Sequence, residues 1–265
     1  MPIDPLFTAT AIEAALAAGR IQRSYFRQHL AIDKKGPIDL VTAADVAVER
    51  DFRQRIAARF PAHAVLGEEG ATAEPPPASA FRWIVDPIDG TTNFAHGIAL
   101  FCISIALEID GEIRLGVVYD PIGDELFTAE RGGGARLNGA PIRVSPSQAL
   151  IDALLVTGFP YDTEHRARQV RIFGALLERT RGVRRLGSAA LDLSYVAAGR
   201  FDAFWEEHLH AWDIAAGALL VAEAGGLVTD YRGQAMDVFR GEILASNGRV
   251  HELVRRVVLD PDAPS

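Results

Sequence analysis

The sequence contains a single cysteine, Cys102, which lies within the apolar stretch 101–103. One thiol cannot form a disulfide within the chain, and it cannot build a metal site from several thiolate ligands. A reducing compartment is therefore expected. A cysteine among apolar neighbours is more typical of a small buried side chain than of a reactive group.

Long apolar runs and basic clusters are also missing. No run reaches the roughly 18 apolar residues that a membrane-spanning helix needs, and the N-terminus lacks the basic and apolar regions of a signal peptide. We therefore expect a cytoplasmic protein without a membrane partner. The chain carries 27 basic and 35 acidic residues, a formal charge of -8, and no Lys/Arg cluster is long enough to neutralise a run of phosphates. Nucleic acid is thus not expected as the main ligand.

The 265 residues are 49% hydrophobic, which suffices for a large core in one domain or in two closely packed lobes. Apolar spacing predicts an amphipathic helix over 6–30 and a second helix from Thr42 to Phe60, whose start has the spacing of a capping box with Asp45. A strand is predicted at 64–66 and another at 83–85, which ends at Asp86.

Turn signals predict an antiparallel meander after residue 101, with hairpins at Asp110-Gly111 and Asn138-Gly139. From about residue 150 strands and helices alternate. The pattern predicts a mixed α/β protein with an N-terminal α+β lobe, 1–146, and a C-terminal α/β lobe, 147–265.

Two carboxylates follow the predicted strand at 83–85. Asp86 and Asp89 are separated by Pro87 and Ile88, and the proline restricts the backbone so that both carboxylates can converge on one point. Gly90 and Thr91 then open a helix, whose free N–H groups suit a phosphate. Carboxylates beside an anion repel it unless a cation intervenes. Oxygen ligands without clustered Cys or His favour Mg²⁺ or Mn²⁺ over zinc.

This segment alone leaves two alternatives open. Asp-Gly is common in turns, and Asp86 is also a suitable helix cap. An EF-hand is the competing metal motif, but its loop requires a Glu at the twelfth position, where this chain has Gly97. The segment is therefore a moderately specific signal for a metal-and-phosphate site.

Five motifs resemble the inositol monophosphatase family and occur in its order. They are DLVTAAD (39–45), GEE (67–69), WIVDPIDGTTNF (83–94), LGSAA (186–190) and WDIAAG (212–217). The resemblance implies a layered αβαβα sandwich of the inositol monophosphatase and fructose-1,6-bisphosphatase type, with the active site between the lobes, and a homodimer. It also implies a Mg²⁺-dependent phosphate monoester hydrolase, in the first place an inositol-1-monophosphatase that acts on a small phosphorylated polyol.

The resemblance also implies the metal ligands. Glu68, Asp86 and the backbone carbonyl of Ile88 would hold one Mg²⁺, and Asp86, Asp89 and Asp213 a second. A third, weaker ion would lie near Glu68, and Mn²⁺ is a possible substitute. Asp45 and Asp213 are equally suitable as helix-capping acids, and the two roles are compatible.

Further positions acquire roles by the same resemblance. Asp45 and Thr91 would serve the attacking water together with Glu68, and Gly90 and Thr91 would bind the phosphate through N–H groups. Glu69 and Lys34 match positions near the metals. The substrate hydroxyls would contact a set of four residues, namely Asp89, Ala189, Glu206 and Asp213.

The sequence departs from the usual family pattern at Glu207-His208, directly after Glu206, and this change bears on the substrate. Related phosphatases of histidinol phosphate, a sugar bisphosphate or adenosine 3',5'-bisphosphate remain alternatives, as does a regulatory metal-binding protein that keeps the fold. His208 and His210 lack a third zinc ligand with matching spacing. Ser188 is predicted as a helix N-cap, not a nucleophile, because its surroundings lack the Gly-x-Ser-x-Gly pattern.

Overall fold

A computed structural model describes residues 3–28, 32–34, 40–70, 79–160 and 165–262. Its helices are α1 (Pro5–Tyr25), α2 (Ala43–Arg59), α3 (Thr91–Ala95), α4 (Arg166–Arg179), α5 (Ala189–Ala197), α6 (Ala211–Glu223) and α7 (His251–Leu259), and a short 3-10 helix spans Leu150–Asp152. The first strands are β1 (Ile32–Lys34), β2 (Leu40–Thr42), β3 (Ala64–Gly67), β4 (Phe81–Asp89), β5 (Cys102–Ile109), β6 (Glu112–Asp120) and β7 (Glu125–Glu130). The remaining strands are β8 (Gly134–Leu137), β9 (Ala140–Pro141), β10 (Leu154–Thr157), β11 (Gly182–Arg184), β12 (Ala203–Glu206), β13 (Leu227–Thr229) and β14 (Ile243–Ser246).

The first large sheet has seven strands in the order β3-β4-β5-β6-β7-β8-β9. Only the β3–β4 pair is parallel. Both predicted hairpins are confirmed, because Asp110-Gly111 joins β5 to β6 and Asn138-Gly139 joins β8 to β9. All four of these turn residues have positive φ, as two-residue hairpin loops require.

The second large sheet has the order β11-β10-β12-β14-β13. Strand β10 pairs in parallel with β11 and β12, whereas β14 is antiparallel to both of its neighbours. The boundary that we predict between residues 146 and 147 falls between the last strand of the first sheet and the first strand of this one. The division into two lobes stays a prediction.

Alternating side chains of each sheet reach different helical layers. Trp83 and Val85 of β4 pack with α1 and α2, whereas Ile84 joins the core around α5 and α6. In β12, Phe204 joins that same central core, and Trp205 packs with α4 and α7. Helices α5 and α6 therefore lie between the two sheets, which confirms the αβαβα sandwich.

The central layer is tight because its contact residues are small. A Cβ at Gly116 of β6 would lie 2.8 Å from the carbonyl oxygen of Ala216 in α6. Such a contact lets the helix approach the sheet more closely than a larger side chain would permit. The close approach carries the start of α6 to the end of β4.

The N-terminal helix ends earlier than predicted. The predicted helix over 6–30 is wrong beyond Tyr25, because Phe26 leaves the helical conformation with a ψ of 132°. Its ring instead packs against Phe94 and Phe101, with centroids 5.6 and 4.9 Å away. This tertiary contact outweighs the helical pattern of the local sequence.

Two further predictions are confirmed by local contacts. In the capping box of α2, Thr42 N donates to Asp45 Oδ2 at 2.8 Å, and Ala44 N donates to Thr42 Oγ1 at 3.2 Å. Cys102 is fully buried.

The side chains of Lys34 and of residues 39–41 lie outside the described part. No helix in the described ranges has the length and apolar character that spanning a bilayer requires.

Candidate active site

Three aspartates from two distant segments meet where β4 ends. Asp86 and Asp89 belong to β4, Asp213 lies in the first turn of α6, and each offers a carboxylate oxygen within 4.8 Å of the others. Residues three apart on a regular strand point to opposite faces. Here the pairing with β5 shifts between Asp86 and Asp89, so that Pro87 and Ile88 form an irregularity. This bulge allows both side chains to reach one point.

The three aspartates lie close enough to repel one another when they are ionised. Burial, followed by the charges of Glu68, Asp89 and Asp213, raises the pKa of Asp86 well above its ordinary value. The pKa of Asp213 is also raised, mainly by burial and then by Asp89. Within the described ranges, no ion pair joins any of the three aspartates to a basic side chain. Buried oxygen donors in this state fit a hard divalent cation.

Asp89 is held in place by the start of α5. Ser188 Oγ donates to Asp89 Oδ2 at 2.6 Å, Ala190 N donates to the same oxygen at 2.6 Å, and Ala189 N lies 3.3 Å from Oδ1. Burial raises the pKa of Asp89 to about 6, although these hydrogen bonds oppose the shift. Ser188 also accepts from Leu191 N, which confirms its predicted role as an N-cap. Ala189, which we predict as a substrate contact, thus donates its N–H to Asp89 in this structure.

Asp45 and Thr91 lie on the other side of the cluster. The Thr91 hydroxyl oxygen is 3.2 Å from Asp45 Oδ1 and 2.9 Å from the carbonyl oxygen of Ile88. Asp45 is completely buried, and Thr42 donates to its other oxygen. Burial raises the pKa of Asp45 to about 6 against these hydrogen bonds. The predicted pairing of Thr91 with Asp45 is therefore present as a contact.

Gly90 caps helix α3 in a conformation that other residues rarely adopt. Its φ is 99°, and a Cβ at this position would lie 2.9 Å from the carbonyl oxygen of Leu100. Asn93 holds the adjacent turn by donating to the carbonyl oxygens of Leu100 and Leu186, both at 2.8 Å. These contacts tie the loop after β4 to the segment that precedes α5.

Glu68 follows β3 and lines the same cavity as Asp89 and Asp213. It lies outside the group of three carboxylates that are mutually within 4.8 Å among the described residues. Glu69 occupies the next position, and its amide N–H donates to Glu49 of α2 at 2.8 Å. The charge of Glu68 contributes to the raised pKa of both Asp86 and Asp45.

A cavity of about 490 Å³ opens beside the cluster and is lined by residues from both halves of the chain. Glu206, at the end of β12, is 6% exposed and faces this space. Burial, and then the charge of Asp213, raises its pKa to about 8. Gly158 lies against the side chain of Glu206, because a Cβ added at Gly158 would overlap the Glu206 carboxylate.

The two residues after Glu206 lie in different surroundings. Glu207 is buried and forms an ion pair with Arg168 of α4, away from the cavity. His208 has a φ of 65°, lines the cavity, and contacts His165, with ring centroids 4.0 Å apart and ring planes tilted by 39°. Of this unusual pair, His208 is the residue that shapes the rim.

The structure also brings residues to the cavity that the sequence motifs do not single out for it. Asp192, Gly158 and Arg185 all line it. Asp192 had one available signal, since it is the only charged residue within the apolar helix α5. Gly158 had none, because its importance depends on the strand that pairs with it.

The model of the inositol monophosphatase family matches residues 5–260. The chain belongs to the inositol monophosphatase family. It is 45% identical over 253 residues to the inositol-1-monophosphatase of Rhizobium meliloti (strain 1021), which covers 94% of this chain and 95% of that protein. It is also 46% identical over 243 residues to the Nus factor SuhB of Pseudomonas aeruginosa, covering 89% and 90% of the two chains.

Solved structures of inositol monophosphatase family members share the fold. The extragenic suppressor protein suhB from Bartonella henselae matches with a TM-score of 0.90 at 42% identity, over 96% of this chain and 99% of that one. SaIMPase-II, whose structure contains inositol monophosphate, matches with a TM-score of 0.81 at 29% identity, over 97% and 94% of the chains.

Proposed function

We propose that this chain is a Mg²⁺-dependent phosphatase that hydrolyses inositol 1-phosphate to myo-inositol and phosphate through attack of an activated water. The observation that carries the proposal is the meeting of Asp86, Asp89 and Asp213 within 4.8 Å at a cavity that also contains Glu206. Inositol-1-monophosphatases among the relatives, and inositol monophosphate in the SaIMPase-II structure, support the choice of substrate.

The carboxylates around the cavity would hold the cations. We assign Glu68, Asp86 and the Ile88 carbonyl to one Mg²⁺, and Asp86, Asp89 and Asp213 to a second. A third, weaker ion would lie near Glu68, and Mn²⁺ would serve as a substitute. When bound, the ions would neutralise the carboxylates, lower the pKa of the attacking water and stabilise charge on the leaving oxygen.

Thr91 and Asp45 would orient the water and take up its proton. If Thr91 donates to Asp45 Oδ1, 3.2 Å away, the Thr91 oxygen stays free to accept a hydrogen bond from water. A pKa of about 6 for Asp45 suits a group that accepts a proton near neutral pH. Glu68, which lines the cavity, is the second candidate base.

Phosphate and polyol would occupy different parts of the cavity. We assign the phosphate to the N–H groups of Gly90 and Thr91 at the start of α3, where helical N–H groups lack partners within the helix. The polyol hydroxyls would contact Glu206, Asp89, Asp213 and the backbone at Ala189. Glu206 suits this role because a buried carboxylate can accept hydrogen bonds from two neighbouring hydroxyls.

The deciding experiment is initial-rate phosphate release with Mg²⁺ from a panel of substrates: inositol phosphates, histidinol phosphate, fructose 1,6-bisphosphate, adenosine 3',5'-bisphosphate and an aryl phosphate. Asp89→Asn should lower kcat/KM on every substrate by about 100-fold or more, since loss of a ligand should exceed the 10- to 100-fold effect of a supporting residue. Glu206→Gln should mainly affect the polyol phosphates.

Glu207→Gln is the matched control, because this buried neighbour pairs with Arg168 outside the cavity. It should leave the substrate preference unchanged. Preference for a non-inositol substrate would overturn the substrate assignment, and an equal loss on aryl phosphate would overturn the role of Glu206.

The relatives named Nus factor SuhB favour a second candidate, a metal-binding regulatory protein that keeps the fold. The same panel separates the two. If Mg²⁺ and Mn²⁺ raise the Tm while no substrate releases phosphate, the regulatory function is favoured and the phosphatase proposal fails.

We also propose a homodimer. On α4, Val170 is 57% exposed and Leu177 47% exposed; two helical turns apart, they lie on one face. A Cβ at Gly174, between them, would meet nothing within 4 Å, so this face leaves room for a partner. Leu177→Arg should halve the mass measured by light scattering, whereas Val46→Arg, an equally exposed position on α2, should not. An unchanged mass for both variants would rule out this face.

A further inference from the structure

Asp192 is a carboxylate in the cavity that none of the roles above uses. It lies on α5, one helical turn after Ala189, and is 1% exposed. Its Oδ1 atom has no hydrogen-bond partner, and no ion pair within the described ranges includes Asp192. Since a buried carboxylate oxygen without a hydrogen-bond partner costs free energy, the position of Oδ1 at a cavity wall suggests a partner that arrives from the cavity.

The surroundings of Asp192 place it beside the polyol part of the cavity. Apart from burial, which raises its pKa well above the ordinary value, the strongest charge interaction is with Glu206 and the next with Asp89. Arg185 supplies a weaker opposing charge and is itself exposed to solvent. Asp192 and Glu206 thus form two acceptors on neighbouring elements, α5 and β12.

The contacts within α5 show that Asp192 is not needed to hold Asp89. The N–H groups of Ala189 and Ala190 and the Ser188 hydroxyl hold that carboxylate. Asp192 contributes only its backbone N–H to this turn, by donating to the Ser188 carbonyl oxygen at 2.9 Å. Its side chain is therefore separate from the network that positions the aspartate cluster.

We propose that Asp192 is a specificity-determining residue that accepts a hydrogen bond from a substrate hydroxyl that Glu206 does not bind. This inference rests on the proposed polyol phosphatase function and deepens it. A site with two buried acceptors selects polyols with hydroxyls at both places, because an analogue that lacks one hydroxyl leaves a buried acceptor unpaired. The ligand class is a polyol phosphate with several free hydroxyls.

The first test compares Asp192→Asn with the wild type on two substrates. The kcat/KM for inositol 1-phosphate should fall about tenfold, because an amide offers one acceptor oxygen where the carboxyl group offers two and its NH₂ group cannot accept. The value for an aryl phosphate, which has no polyol hydroxyl, should change less than about threefold. The Tm should change little, since Asn has nearly the shape of Asp and the substitution leaves no cavity.

The second test uses deoxy analogues of inositol 1-phosphate, each lacking one hydroxyl. In the wild type, loss of the matching hydroxyl should lower kcat/KM; in Asp192→Asn, the penalty for one particular hydroxyl should become smaller, because an amide oxygen is a weaker acceptor than a carboxylate. Glu206→Gln should reduce the penalty for a different hydroxyl. Glu207→Gln, the control outside the cavity, should retain both penalties.

Three results would overturn the inference. An unchanged kcat/KM on inositol 1-phosphate would show that Asp192 does not contact the substrate. An equal loss on both substrates with a lower Tm would show a structural role. In both cases the wild type still hydrolyses inositol 1-phosphate, so the proposed function stands. If the wild type releases no phosphate from any inositol phosphate, the proposed function fails and the inference about Asp192 fails with it.

Discussion

The Glu49 carboxylate accepts a hydrogen bond from the amide N–H of Glu69, with Oε2 2.8 Å from the nitrogen. Glu49 is a buried residue of α2 whose other oxygen accepts from Arg53 Nε at 2.7 Å. A Cβ at Gly67 would lie 2.6 Å from its carboxyl carbon, so the segment after β3 rests on this carboxylate. Glu49 therefore positions the backbone on both sides of Glu68.

Replacement of Glu49 tests this support. Glu49→Gln should weaken apparent Mg²⁺ affinity by about 10- to 100-fold, the range for residues that orient metal ligands. The readout is the Mg²⁺ concentration at which the rise in Tm is half complete. Asp51→Asn is the control, because its exposed ion pair with Arg55 on the same helix should contribute at most about 1 kcal/mol. An unchanged Mg²⁺ midpoint for Glu49→Gln would disprove the supporting role.

Gly90 and Gly111 form a matched pair for backbone strain. Both have positive φ, 99° and 82°, but a Cβ meets the Leu100 carbonyl oxygen only at Gly90 and nothing within 4 Å at Gly111. Gly111→Ala should cost about 1–2 kcal/mol of unfolding free energy from its backbone conformation alone. Gly90→Ala should cost more and should also lower kcat, because the loop after β4 must shift. Equal destabilisation in urea unfolding would contradict this account.

Removal of one cluster charge should separate metal binding from stability. In metal-free protein, Asp213→Asn should leave the Tm unchanged or raise it, since burial beside Asp89 disfavours its charge. Mg²⁺ at about 100 times its Kd should add about 2.7 kcal/mol to the wild type and markedly less to this variant. EDTA should abolish wild-type activity, and undiminished turnover after exhaustive chelation would contradict the metal mechanism.

Asp202→Asn is the matched control for that comparison. Asp202 is also buried, but Leu154 N donates to it at 2.7 Å and it contacts the Ser145 hydroxyl. Its replacement should lower the Tm because a satisfied acceptor is lost, and it should leave the Mg²⁺-induced rise intact. Loss of that rise in Asp202→Asn would show that the rise does not report on the aspartate cluster.

His251 should make stability depend on pH. Burial lowers its pKa from 6.5 to about 4, and its ring nitrogens lie 2.9 Å from the hydroxyl oxygens of Thr229 and Ser246. Between pH 6.5 and about 4 the unfolded state binds a proton that the folded state does not, so this group's stabilisation is present above pH 6.5 and is lost as the pH falls to about 4.

Several carboxylates have raised pKa values and also make stability depend on pH. Comparison of the wild type with His251→Gln isolates the contribution of His251. The unfolding free energy of the wild type minus that of the variant should decrease by about 2–3 kcal/mol from pH 7 to pH 4. Chemical denaturation at several pH values measures it. A difference that is constant with pH would refute the linkage.

Local patterns in the sequence predicted local structure well. The capping box at Thr42 and Asp45, the two-residue hairpins and the N-cap at Ser188 involve groups only a few residues apart, and their hydrogen bonds depend on spacing and backbone conformation. The predicted end of α1 was wrong because it depends on contacts between distant residues. The contacts of Phe26 with Phe94 and Phe101 join segments about 70 residues apart.

The sequence by itself determined that Asp86 and Asp89 lie together after a strand, and its ordered motifs identified the family. Only the tertiary structure decided that Asp213 joins them, because α6 must pack closely against the sheet at Gly116 before its first turn reaches the end of β4. Only the tertiary structure likewise revealed the contacts of Glu49 and Asp192. The partner of Glu49 and the unpaired oxygen of Asp192 depend on long-range packing, which residue type and spacing do not show.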